Sequence, residues 1–235
     1  MAHRFCNHFL TEDGVKLIEA DGKFTGCIFI HSDRLSIPLK RRKPTVFAVW
    51  NDLFHEKVPD EFREETYDAM NRADRHTYLI LTKRPQNMER YVSGVCHAVG
   101  DYDVSRDHVW HGLTVCNQEE MESKSKDFFS VPVKKFFSLE PMLSKVIIPP
   151  WVLERKLLDS VILGGESGPG ARPMHPDWVR SVRDQCAAAG VSFFFKSWGK
   201  YIRRNGDYYP IKKGWPHRLL DGRTHDDLPW HKVKP

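Results

Sequence analysis

Cysteine is sparse and unpatterned in this 235-residue chain. Cys6, Cys27, Cys96, Cys116 and Cys186 make five, an odd number, and no two form a C-x-x-C pair. That spacing implies neither a disulfide framework nor a zinc ribbon. Cys96 and Cys186 fall on the apolar faces of expected helices and read as buried thiols. The twelve histidines include no H-x-x-x-H or H-E-x-x-H spacing, so a metal site built on them is not expected. Long apolar runs are missing as well. The longest, around residues 192–195, falls far short of the ~20 residues of a membrane span. The first eight residues, MAHRFCNH, lack the apolar core of a signal peptide, so a cytoplasmic location is the expectation. With no internal repeat, no low-complexity tract and no dividing linker, residues 1–235 read as a single domain. Excess charge is small: 36 Lys+Arg against 31 Asp+Glu leave +5. That permits contact with phosphate without dictating it. The tightest basic run, residues 40–43 (KRRK), precedes a strand and reads as a solvated edge.

What is present is enough apolar residue for one sizeable core, 40% hydrophobic and 12% aromatic. Residues 1–40 form a poorly legible N-terminal segment, with residues 1–10 as a helix tail and 23–30 as a short strand or loop. From residue 45 onward, buried-type runs alternate with helical patterns. The runs are TVFAVW (45–50), HTYLILT (76–82), VWHGLTVC (109–116), VKKFFSL (133–139), VIL (161–163) and VSFFF (191–195). Between them, Pro59 and Pro85 open amphipathic helices, and a short polar helix is expected at 119–126. Residues 151–158 form a link, and a helix opens at His175-Pro176 and closes at Gly190. Six strands alternating with helical connections specify a parallel sheet. The expected fold is α/β, a partial (β/α) barrel of about six parallel strands. A doubly wound sheet is the alternative. Residues 200–235 form a basic aromatic tail, with a loop and one turn at 219–229.

If all strands run one way, their C-terminal ends share one face, where β/α folds place their sites. That face gathers Asn51, Asp52 and His55; Lys83 and Arg84; Asn117 and Gln118; Glu140; Glu166 and Ser167; and Lys196. Carboxylates facing cations there can push pKa values apart and support acid/base work. Asp52, Glu140 and Lys196 are the catalytic candidates. Asn51, Lys83, Arg84, Asn117, Gly164, Gly165, Glu166 and Ser167 are the ligand-binding ones. Each has a plainer reading. Gly164-Gly165-Glu166-Ser167-Gly168 either presents N–H groups to an anion or makes a tight turn, and it fits neither the Walker A nor the dinucleotide fingerprint. Lys196 is either a Schiff-base amine or, more simply, an ion-pair partner of Glu140 or Glu166. Lys83-Arg84 either grips an anion or closes an internal salt bridge. In the tail, Trp198, Tyr201, Tyr208, Tyr209 and Trp215 interleave with cations. They read as a stacking surface for single-stranded nucleic acid, or as a lid packed over the barrel mouth.

Seven segments carry a resemblance: NDLFHEKVPDEF (51–62), LTKRPQNM (81–88), GLTVCNQE (112–119), SLEPML (138–143), GGESGPGARPMHPDWVRSVRDQC (164–186), FFFKSWG (193–199) and LDGRTHDDLP (220–229). Together they are similar to a family of phage and prophage proteins of unknown function, related in fold to radical S-adenosylmethionine enzymes. Fuller-length relatives begin with one more strand and a loop of three closely spaced cysteines. In radical enzymes such a loop holds a [4Fe–4S] cluster and leaves one iron for the methionine end of the cofactor. This sequence departs there: Met1–Phe5 resembles the helix after that loop, and Cys6, Cys27 and Cys116 do not reproduce the spacing. The resemblance implies S-adenosylmethionine as a possible cofactor and a nucleic acid or nucleotide as the thing modified. It also implies a chain that is catalytically incomplete as it stands. The competing expectations are a non-catalytic phosphate- or nucleic-acid-binding protein and a cluster-free lyase using Lys196; no membrane partner is expected.

Overall fold

The computed structural model describes residues 28–49, 51–96, 103–212, 214–215 and 217–232. The expected helix tail at residues 1–10, Cys6, Cys27 and the side chain of Cys96 lie outside these. Of the expected strand or loop at 23–30, only 28–30 are described, and they form no strand. A short helix, α1 (Ser36–Lys40), leads into β1 (Val46–Val49). The chain then alternates α2 (Asp60–Arg72), β2 (Thr77–Thr82), α3 (Pro85–Cys96), β3 (Val109–Thr114), α4 (Gln118–Phe128), β4 (Lys135–Leu139), α5 (Pro150–Glu154), β5 (Ser160–Gly164), α6 (Pro176–Ala189) and β6 (Ser192–Ser197).

The six strands pair in parallel in the order β1-β2-β3-β4-β5-β6. A doubly wound sheet reverses its strand order at a switch point, and this one never does. The result is the curled half-barrel expected of a partial (β/α) barrel. Its strands read as continuous apolar runs because both faces are covered. One face packs against the helices in the main core, where Tyr67, Met88, Met121, Val152, Val179 and Cys186 meet Ile80, Leu113, Phe137, Leu163 and Phe195. Side chains of the intervening strand positions point to the concave side. There Leu79, Trp110 and Phe136 form a second cluster with Leu81, Ile162 and Phe194.

The helices begin and end on local signals. Asn117 caps α4 by accepting from Glu120 N at 2.9 Å, and the first turn of that helix is acidic, which suits the positive end of its dipole. His175 caps α6, Pro176 fills its first position, and Gly190 ends it in a left-handed conformation at φ 70°.

The tail is more ordered than its composition suggests. β7 (Tyr201–Arg204) and β8 (Asp207–Pro210) form an antiparallel hairpin across Asn205-Gly206, both at positive φ. Beyond it, Phe195 N donates to His225 O at 2.9 Å and Phe194 bridges Asp226, so residues 225–226 pair with the otherwise open side of β6. Leu228 and Trp230 then join the concave cluster, the Trp230 ring edge-on to Trp110 and Phe136. The tail thus covers a sheet edge that a closed barrel would have paired.

Candidate functional site

Strand alternation fixes which residues meet over the concave floor. Phe136, Ser138 and Glu140 share a face, as do Phe194 and Lys196, Ile162 and Gly164, and Leu81 and Lys83. At their ends the Lys196 amine reaches across β5 to Glu140, 3.1 Å from Oε1 and 3.2 Å from Oε2. Ser138 Oγ donates to the same carboxylate at 3.4 Å. Glu140 fits between because Gly164 lies below it: a Cβ there would stand 2.6 Å from Glu140 Oε1. This is a half-exposed ion pair in the mouth, seated on buried aromatic and aliphatic side chains.

Backbone contacts tie the rim together. Val115 N donates to Ser138 O (3.1 Å), Leu143 N to Cys116 O (2.8 Å), Met142 N to Gly164 O (3.0 Å) and Gly165 N to Ser197 O (2.9 Å). The β5 and β6 ends then cross so closely that a Cβ on Gly165 would strike Trp198 O, and one on Gly199 would strike Glu166 O. Both glycines are required by that approach, and Gly199 also takes φ 78°.

The remaining candidates divide by what they touch. Asp52 is a fastener. Its carboxylate accepts from Thr82 Oγ1 (2.6 Å), Arg84 Nη1 (2.8 Å), Lys83 N (3.1 Å) and Phe54 N (3.2 Å), joining the β1 and β2 ends. Arg84 is therefore held in an internal salt bridge with Asp52 and, at 2.7 Å, Glu56. The His55 ring lies beside Glu56 at 3.5 Å, while its backbone N donates to Asp52 O at 3.0 Å. Glu166 is clamped by Arg172, whose Nε (2.8 Å), Nη2 (2.9 Å) and backbone N (2.8 Å) all donate to it. That grip pulls the Glu166 carboxyl down to about 2. Asn117 serves as a helix cap, and Gln118 bonds Ile147 N through its Oε1 at 2.7 Å. Asn51, Lys83 and Ser167 are exposed.

Three participants have no counterpart among the residues picked from the sequence. Arg172 sits in the proline- and glycine-rich loop, where nothing in the spacing marks it as the partner of Glu166. Thr82 reads as an ordinary strand residue. Cys116 stands half-buried where β3 opens into α4. Burial and Glu120 push its thiol up, while Lys83, Lys124 and Arg172 pull it the other way. A cavity of about 610 Å³ between α4 and α5, lined by Phe129, Trp151 and Arg155 among others, lies outside this mouth, under the short α5.

A family model described as "Protein of unknown function (DUF5131)" matches residues 1–229. The chain belongs to this family. No curated protein matches it. No solved structure matches it either. Among the described residues, no helix is long and apolar enough to cross a membrane.

Proposed function

We propose that this member of the family is a radical-SAM-like half-barrel protein of phage type. In this reading its mouth binds the adenosyl cofactor S-adenosylmethionine, and its partner is a nucleic acid or nucleotide. The observation that carries the reading is the Glu140–Lys196 pair on the concave face, with Lys83 on the adjoining rim and an apolar floor beneath. A ligand entering there meets a carboxylate for an ammonium group, amines for a carboxylate, and the part-buried Leu81, Ile162 and Phe194 for a sugar and base. That donor set fits the amino-acid end and the nucleoside end of S-adenosylmethionine. Bound there, the sulfonium would supply an activated carbon–sulfur bond. Glu140 would orient the ammonium, and Lys83 and Lys196 the carboxylate.

The described residues do not fit a [4Fe–4S] cluster. Of the two cysteines whose side chains are described, Cys116 stands at the mouth and Cys186 is buried in the helical core, and among the described residues no three potential metal ligands group together. The ion pair at Lys196 also favours holding a zwitterion over presenting a bare amine to a carbonyl, as a lyase would.

Titration calorimetry of the chain with S-adenosylmethionine tests the reading. Saturable binding is expected, weakened about tenfold or more in Glu140→Gln, because a charge-assisted hydrogen bond is worth ~1.5–3 kcal/mol. No heat at millimolar cofactor, or equal affinity in Glu140→Gln, would reject it.

A further inference from the structure

The net charge of the chain is concentrated in one place. Residues 200–218 carry Lys200, Arg203, Arg204, Lys212, Lys213 and Arg218 against the single acid Asp207, a net +5. The whole chain also has +5, so everything outside this segment sums to zero. The same 19 residues hold Tyr201, Tyr208, Tyr209 and Trp215. We propose that this segment, built around the β7–β8 hairpin, is a grip for single-stranded nucleic acid at the edge of the barrel mouth. It deepens the reading above by naming the substrate class, and it rests on that reading only for what the held strand is presented to.

The hairpin is firmly based, and Tyr208 and Tyr209 on it are exposed. At its root Lys200 N donates to Glu166 O and Ile211 N to Lys200 O, both at 2.8 Å, which joins it to the rim loop after β5. Ile202 and Ile211 pack on the main core. Arg203 bonds His175, the cap of α6, and donates to Gly206 O at 3.1 Å. Tyr208, opposite Arg203, is 36% exposed on one face of the hairpin, and Tyr209, opposite Ile202, is 42% exposed on the other. Cations lie against the rings: Arg203 is 5.8 Å from the Tyr208 centroid, Lys200 5.4 Å from Tyr201 and Lys212 5.9 Å from Trp215. Trp198, by contrast, is buried and donates to Leu219 O at 2.9 Å, so it belongs to the core. Rings with cations beside them on this basic hairpin offer stacking faces for bases and charges for the phosphates between them. A duplex would use the cations and leave the rings idle. A bilayer would ask for aliphatic side chains that the hairpin does not expose.

Fluorescence anisotropy of the full chain with labelled 12-nucleotide dT and rU strands, and with a duplex of equal length, decides the matter. Both single strands are expected to bind more tightly than the duplex, and any preference between them identifies DNA or RNA as the natural source. Tyr208→Ala and Tyr209→Ala should each weaken binding about fivefold or more without lowering the melting temperature. Lys212→Gln should flatten the slope of log affinity against log salt by about 0.7. Duplex binding as tight as single-strand binding, tyrosine variants without effect, or equal binding to phosphatidylserine vesicles would each overturn the proposal. S-adenosylmethionine titrated into the same tyrosine variants separates the two readings. Cofactor binding with no strand binding sinks the grip alone, and strand binding with no cofactor binding sinks the mouth reading alone.

Discussion

At Glu166 the Arg172 guanidinium holds the carboxyl down to about 2, against an ordinary value of 4.5. A carboxyl lowered in the folded chain contributes stability above its unfolded value, and that contribution disappears as pH falls from about 4.5 towards 2. The pair is largely exposed, so solvent screens it and its contribution is small. Glu166→Gln should therefore have a slightly lower urea midpoint than the parent at pH 7 and the same one near pH 2. His111 acts in a different window. It is fully buried, its Nε2 is 2.7 Å from Tyr67 OH, and its Nδ1 has no partner among the described residues. Burial first, and then Lys135, push it down to about 3 from 6.5. The unfolded chain takes up that proton more readily, so stability should fall as pH drops from about 6.5 towards 3. His111→Gln keeps a polar atom for Tyr67 and should remove this part of the acid sensitivity. If midpoints of parent and variant run parallel across that range, His111 does not set it.

Elements rather than single residues show what could be read in advance. The β strands were legible because parallel strands buried on both sides are written as unbroken apolar runs such as TYLILT and KFFSL. The helix start at His175-Pro176 was legible for the same kind of local reason, whereas α4 begins at Gln118 behind an Asn117 cap, one residue ahead of the expected 119–126. The hairpin was obscured by its four-residue strands, which carry arginines and tyrosines on a surface and bury little. Its signal was nonetheless present: Asn205-Gly206 is the dipeptide that a two-residue hairpin turn with positive φ at both positions favours. The site was legible as a set of strand ends but not as a set of roles. Period-two alternation brings Glu140 and Lys196 together, whereas the diversion of Asp52 to Thr82 and Arg84 depends on contacts between loops about 30 residues apart. Two substitutions test these assignments. Asn117→Ala should cost α4 about 1 kcal/mol in urea unfolding. Asp52→Ala, which strands Arg84 and several donors at once, should cost about 2–3 kcal/mol. An Asp52→Ala chain as stable as the parent would return that carboxylate to the list of groups available for chemistry.

At the scale of the molecule, six strands curve round a concave face without closing it, and what fills that face comes from the far end of the sequence. Residues 225–226 pair with β6, and Leu228 and Trp230 settle among Leu79, Trp110 and Phe136 beneath the Glu140–Lys196 pair. The floor of the candidate site is thus made partly by the tail, so stability and ligand binding should be coupled through it. Gly112 shows how tightly that floor is packed, since a Cβ at this position would collide with the Phe136 ring. Trp230 is 5% exposed, and truncating a buried tryptophan costs ~3–5 kcal/mol where its surroundings cannot collapse. Here the surroundings are strands fixed by their ladders. Trp230→Ala should lose stability on that scale, bind the dye anilinonaphthalene sulfonate as the concave face opens, and weaken any ligand held above it. A Trp230→Phe chain should recover most of both properties, because it refills the floor. Loss of stability with ligand affinity unchanged in Trp230→Ala would mean that the mouth is built by the strands alone.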